Sequence, residues 1–247
     1  MRPEIVGRER GGTMRDLELT PRLRQVAQWV PQGARLADIG TDHGHLPIWL
    51  LLHSRIQSAI AADLRPGPLS RARENAGRYG TEAIDFRLCD GLSAIRAEEC
   101  DTVVIAGMGG ENIAAILADA PWTADGRHTL VLQPQSRPEV LRRFLMDHGY
   151  AITREALVED RGHLYPVLEA GAGEMQLSLG QLHCGVKLLH DSLWDRYLIE
   201  KIIQLQNVVA GRSHSADPAD QARAEEQRTV ITELLAMREE WRHANGT

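Results

Sequence analysis

The stretch that decides the fold is Leu36-Ala37-Asp38-Ile39-Gly40-Thr41-Asp42-His43-Gly44-His45-Leu46-Pro47, LADIGTDHGHLP. An apolar run enters a glycine turn and a second apolar run leaves it, so the stretch reads as strand, loop and helix. A loop that lays bare backbone against a pyrophosphate at a helix N-terminus needs G-x-G-x-x-G. Here Asp42 stands where a second glycine is usual, and no third glycine falls at the right place. Carboxylates at Asp38 and Asp42 would repel phosphate and favour a guest that arrives as a cation.

Working outward, the chain alternates. Leu23, Val26, Ala27 and Val30 recur at helical spacing over Arg22–Val30, and Pro31 and Gly33 stop that helix. Apolar runs at Arg35–Gly40, Ser58–Leu64, Ile84–Asp90, Asp101–Ala106 and Thr129–Leu132 predict five strands. Helices are predicted at Leu46–His53, Pro66–Tyr79, a short one from Gly91, GGENIAAILADA from Gly109, and Pro138–His148. In the Pro66 helix, proline sits early, where a missing N–H costs little, and Gly80 follows the end. Tyr150–Val158 and Leu164–Leu168 are then two strands with no room for a helix between them.

Five βα units imply a parallel sheet with right-handed crossovers, and the closing hairpin adds one antiparallel strand. That ending separates the methyltransferase version of the doubly wound fold from the dehydrogenase version, which keeps adding parallel strands. After Gly171 and Gly173 the pattern changes. Val186, Leu189, Leu193, Tyr197, Ile202, Leu205 and Val209 form one helical stripe. Val230, Leu234, Met237 and Trp241 form another, with polar GRSHSADP between them. Two helices of roughly 20–25 residues then make a coiled-coil-like αα-hairpin. The predicted fold class is α/β: a doubly wound, mostly parallel, Rossmann-like sheet ending in a β-hairpin, plus a C-terminal helical hairpin. The expected division is a disordered lead over 1–19, a cofactor-binding domain over 20–171 and the helical hairpin over 172–247. Met14 is an alternative start to Met1.

Composition narrows the class. No apolar run reaches the roughly 20 residues of a membrane span, and the N-terminus lacks an apolar signal core. Cys89, Cys100 and Cys184 form no CxxC pair and fit a reducing cytoplasm. His43 and His45 lack partners at zinc-like spacing, so no metal is expected. The net charge of −6 argues against a uniformly basic coat. Residues 1–170 carry 20 Lys and Arg against 23 Asp and Glu, and residues 171–247 carry 8 against 11. A polyanion would therefore have to be met by a local patch.

In an open α/β sheet the ligand crevice lies outside the carboxyl ends of the strands, at the switch point. The residues leaving the strands are Gly40–Gly44, Asp63 and Leu64, Asp90 and Gly91, and Gly107–Gly110. An acidic side chain at Asp63 can accept from both hydroxyls of a ribose, and one at Asp90 from an adenine amino group. Gly107 leaves room for a substrate, and Met108 offers an apolar wall. With Asp38, Gly40, Asp42 and Gly44 set against phosphate, the expected cofactor is S-adenosylmethionine, which carries an ammonium and a sulfonium and no phosphate. Each residue has a plainer reading. Asp38 or Asp42 alone suits a helix cap, Asp63 or Asp90 a solvated strand end, and the glycines at 107–110 a tight turn. Their ordered placement after four consecutive strands is what points to a site.

RLRQVAQWVPQGARLADIGTDHGHLP, DTVVIAGMGG and LVLQP resemble the bacterial TrmK family, whose members methylate N1 of adenine 22 in tRNA using S-adenosylmethionine. The resemblance runs over about residues 20–170, and the LSLGQL entry into the helical hairpin is similar to that family's C-terminal part. It implies a methyltransferase domain plus a helical appendage that helps hold tRNA; the expected protein is cytoplasmic, metal-free and off the membrane, a monomer or homodimer with tRNA as partner. Adenine N1 attacks without a base, so alignment and negative charge near the ring carry catalysis. Asp42 and, more weakly, His43 are the candidate catalytic residues. AGMGG lacks the D/N-P-P-Y/F tetrapeptide of enzymes that methylate the exocyclic amine, and carbonyls at Ala106 or Gly107 are left to orient that amine.

The target base must leave its stack. Gly109 and Gly110 would face it, and Arg65, Arg137 and Arg161, with Arg71 and Arg142 as further choices, would hold phosphates. Lys187, Arg196 and Lys201 are candidates on the hairpin. Three other functions stay open on the sequence: a methyltransferase for a small molecule or protein, a nicotinamide oxidoreductase, and a catalytically silent tRNA-binding module.

Overall fold

The computed structural model describes residues 17–212 and 217–246. β1 (Ala34–Ile39), β2 (Ile56–Asp63), β3 (Ile84–Leu88), β4 (Thr102–Gly109), β5 (Thr129–Ser136), β6 (Tyr150–Asp160) and β7 (His163–Ala172) form one sheet, in the order β3-β2-β1-β4-β5-β7-β6. β1 to β5 pair in parallel, and β7 runs antiparallel to both β5 and β6. The expected fold class is borne out, down to the single reversed strand. Strand order turns back between β1 and β4, which opens a crevice at their carboxyl ends.

Alternation along the strands sorts side chains into two cores. Ala37, Ile39, Val103, Ile105, Leu130 and Leu132 meet α4 (Gly110–Ala118) and α5 (Pro138–Asp147) on one face. Leu36, Val104 and Val131 meet α1 (Pro21–Trp29) and α2 (His45–Leu52) on the other. α3 (Pro66–Tyr79) packs against β2, β3 and α2, and ends on Gly80 in the left-handed conformation that glycine supplies at a helix C-terminus.

Beyond the sheet come α6 (Leu179–Cys184), α7 (Trp194–Arg212) and α8 (Pro218–Asn245). α7 and α8 pack on each other, and their core of Trp194, Tyr197, Leu198, Ile202, Leu205, Val230 and Leu234 takes in Leu157 and Leu164 from the β6–β7 hairpin. Arg142 of α5 and Glu155 of β6, both fully buried, pair at 2.8 Å behind that junction. Arg142 Nη1 donates to the carbonyls of Leu182 and His183, and Glu155 Oε2 accepts from the N–H groups of Val186 and Lys187. The sheet and the appended helices are riveted together there.

Several expectations need correction. Arg142 is locked inside this pair and cannot hold an RNA phosphate. The first C-terminal helix starts at Trp194 rather than near Val186, because α6 ends at Gly185 and the chain then loops. Asp191 holds that loop by accepting from the N–H groups of Leu157 and Leu193. The helix expected from Gly91 is a run of turns and a 3₁₀ turn at Ala97–Glu99. Most of the expected lead, including Met14, lies outside the described residues, but Leu19 is buried in the core with α1. The polar GRSHSADP segment falls partly outside them too. Among the described residues no helix is long and apolar enough to cross a membrane.

Candidate active site

A cleft of about 600 Å³ opens at the carboxyl ends of β1 to β4. Its walls include Gly40, Asp63, Leu64, Arg65, Asp90, Gly91 and Met108, with Asn112 and Ile116 from α4. Seven residues read from four separate strand ends are thus brought together. Leu64 is 64 % exposed, an apolar side chain left uncovered inside a polar cleft.

Below the floor lies Asp38, only 6 % exposed. Burial pushes its carboxyl from 3.8 up to about 6, and the like charge of Asp63 adds to that. The Thr41 hydroxyl beside it offsets part of the shift, yet it is buried and in full hydrogen-bonding geometry with no group among the described residues. Asp63 is better supplied, since its Oδ1 accepts from the Arg65 N–H at 2.8 Å. Between Asp38 and Thr41, Gly40 adopts φ +74°, and a Cβ there would meet the Met108 methyl at 2.2 Å. The positive φ is what favours glycine there, since the methionine methyl ends a flexible side chain and can yield.

The loop continues through His43, which holds φ 62°, a costly value for a residue with a Cβ. Asn75 of α3 secures it by donating from Nδ2 to the His43 carbonyl at 2.9 Å. His43 Nε2 lies 3.2 Å from both Asp42 Oδ1 and Arg71 Nη1. A neutral ring can accept from Arg71, whereas a protonated one donates to Asp42. Asp42, His43 and Gly44 stand at the rim and do not line the cleft walls. Neither aspartate caps α2: its N-cap is Gly44, in a left-handed conformation with no side-chain bond.

On the other side, β4 and β5 run further than their apolar patterns suggested. β4 bulges at Gly107, which adopts φ +82°. The Gly107 N–H donates to the side chain of Gln133 on β5 at 3.1 Å. Gly109 ends β4, and Gly110, buried, begins α4. The basic candidates scatter. Arg65 is exposed at the cleft wall. Arg137 lies by a second cavity of about 470 Å³, bounded by β5, β7 and α7, and pairs with Glu111 and Glu139. Arg161 sits at the tip of the β6–β7 hairpin, and Arg196 is tied to Glu159 and Glu200. Asn75 and Gln133 were missed by the sequence reading. An amide inside the apolar run LVLQP was the available signal for Gln133. Among the described residues no group of three His, Cys, Asp or Glu is disposed to hold a metal ion.

A sheet with one reversed strand next to last, and a cleft that offers carboxylates where a dinucleotide enzyme offers glycine N–H groups, define a class I methyltransferase. A family model described as a methyltransferase domain matches residues 19–168. The chain belongs, within that class, to the TrmK family. It is 38 % identical over 162 residues to the tRNA (adenine(22)-N(1))-methyltransferase of Bacillus subtilis (strain 168), a span of 65 % of this chain and 68 % of that protein. A Streptococcus pneumoniae structure in complex with S-adenosyl-L-methionine superposes with a TM-score of 0.76 at 33 % identity, covering 88 % of this chain and 100 % of that one. Mycoplasma capricolum TrmK in complex with S-adenosyl-homocysteine gives 0.71 at 27 % identity, over 87 % and 98 % of the two chains.

Proposed function

We propose that this protein transfers a methyl group from S-adenosylmethionine to N1 of adenine 22 in tRNA, in the cytoplasm. The observation that carries the reading lies just beneath the cleft floor of Ile39 and Gly40, where burial raises the pKa of the Asp38 carboxyl and the buried Thr41 hydroxyl makes no hydrogen bond among the described residues. Such a floor fits a ligand that brings positively charged donors and penalises one that brings phosphate. S-adenosylmethionine, when bound, supplies an electrophilic methyl on a sulfonium.

The chain's own residues do the rest. Asp38 and Gly40 receive the methionine end, Asp63 the ribose, and Leu64, Asp90 and Gly91 the adenine. Adenine N1 has an in-plane lone pair and is unprotonated near neutral pH, so no side chain has to remove a proton before attack. Catalysis is then alignment together with negative charge for the cationic product ring. Asp42, 78 % exposed at the rim, is the carboxylate we assign to supply that charge, with His43 beside it. Met108 walls the substrate side, and Gly107 and Gly109 keep it free of bulk, whereas Gly110 is a glycine because its Cα packs against the Arg137 carbonyl. Arg65, Arg137 and Arg161 mark the phosphate path, and the helices of 172–247 extend the tRNA-holding surface of a catalytic unit over 20–171.

Incubation with labelled S-adenosylmethionine and total tRNA, followed by nucleoside mass analysis, tests this. N1-methyladenosine at position 22 is expected. Label appearing in protein or small molecules, with none in tRNA, would overturn the reading.

A further inference from the structure

We propose that Gln133 is a positioning residue for the reaction: its side-chain amide fixes the bulged end of β4, Ala106-Gly107-Met108, whose Met108 lines the cleft. This rests on the reading of the cleft as a tRNA methyl-transfer site.

The register shows why such a residue is needed. β4 follows β5 as far as the pair Ala106 and Gln133, then slips between Ala106 and Met108 and again between Met108 and Gly109. A bulged residue drops out of the ladder and its N–H loses its strand partner. Gln133 Oε1 takes up that N–H from Gly107. Gln133 itself is 1 % exposed, and a buried amide is tolerable only when both of its ends are answered. Nε2 donates to the Pro134 carbonyl at 2.9 Å, and Oε1 also receives Arg22 Nη1 at 3.4 Å. Arg22 is held in turn by Asp160, at 2.7 Å, and by the ring of Tyr165, 4.8 Å from its guanidinium.

The position therefore needs an acceptor and a donor on one short arm, which an amide has, a carboxylate half supplies and a thioether lacks. The backbone whose carbonyls are expected to orient the adenine amine is thus set from α1 and the hairpin, elements that do not line the cleft.

Gln133→Met and Gln133→Glu, made in the full chain, test the assignment. In Gln133→Met, kcat for tRNA methylation should fall about tenfold, the loss of one well-placed hydrogen bond in the transition state. KM for tRNA and the affinity for S-adenosylmethionine should stay within about twofold of wild type. Gln133→Glu should recover part of kcat, because its carboxylate still accepts from Gly107 and Arg22. Amide hydrogen exchange without substrate should show Gly107 about tenfold faster in Gln133→Met, with Ile105 unchanged. Unchanged kcat, or cofactor affinity and melting temperature falling in step with kcat in both variants, would overturn the proposal. Should the wild type methylate no tRNA, the functional reading falls instead. The exchange arm then decides alone: faster exchange at Gly107 supports the staple and unchanged exchange ends it.

Discussion

Two places in this molecule bury charge, and they are built in opposite ways. Where the sheet meets the appended helices, Arg142 and Glu155 are wholly enclosed and answer each other, and backbone groups of residues 182–187 take up further valences. Just beneath the cleft floor Asp38 is nearly as deep, but its surroundings raise its pKa instead of neutralising its charge, and the hydroxyl beside it has no partner among the described residues. The first arrangement holds two parts of the chain together through an ion pair and backbone hydrogen bonds, with Arg142 Nη2 alone of the guanidinium nitrogens making no hydrogen bond among the described residues. The second is incomplete until something arrives. Neither buried charge nor one unpartnered atom marks a functional site, since Arg142 Nη2 shares the latter with Thr41 Oγ1; what sets Asp38 apart is that its charged neighbour, Asp63, has the same sign.

The contrast can be broken most forcefully at the enclosed pair. Glu155→Ala should cost about 3–5 kcal/mol, since it strands Arg142 without a counter-charge. The double variant Arg142→Met with Glu155→Leu should cost far less, because apolar groups of similar size need no partner. Denaturant unfolding of the three proteins checks this, and a single variant as stable as wild type would dissolve the comparison.

Asp38→Asn should do the reverse and stabilise the ligand-free protein at neutral pH by up to about 3 kcal/mol, the equivalent of its displaced pKa. The sign follows from the direction of the shift. A carboxyl that titrates higher when folded favours the folded state below 3.8, and that advantage is lost as pH rises to about 6. The difference between the two stability profiles should therefore grow across that window and level off above it, while calorimetry should show S-adenosylmethionine binding lost in the variant.

A smaller effect is expected at the loop. Asn75→Ala releases the carbonyl of a strained His43 and should weaken cofactor binding by about tenfold, with melting temperature nearly unchanged. Least of all, Arg65→Ala and Arg161→Ala should leave stability within about 0.5 kcal/mol, yet each should lower the salt dependence of tRNA affinity by about one phosphate contact.

Much of this architecture was legible in the residues. Five apolar runs with helices between them and then two strands in succession left little freedom in the sheet order, and the carboxylates at Asp63 and Asp90 fell where the strands had to end. The failures have physical causes. Val186, Leu189 and Leu193 keep helical spacing, but Gly185 and the Asp191 bonds turn them into a loop whose apolar side chains still reach the helical core. Leu92 and Ile95, three apart and both buried, suit a tighter turn as well as an α-helix. QPQS after Leu132 looks like a loop, yet it pairs with the bulged end of β4. Asn75 and Gln133 act across 32 and 26 residues of chain, and no local pattern announces a partner that distant.

One feature of α1 bears on how the protein is made. Arg22, in the first turn of the first helix, finds Asp160 only 138 residues later in the chain. During synthesis at about 5–20 residues per second, Asp160 follows Arg22 by about 7 to 28 seconds. The helix can dock early on α2, β4 and β5, whose core it shares, but the clamp that runs from Arg22 to Gln133 is complete only once the β6–β7 hairpin has been translated.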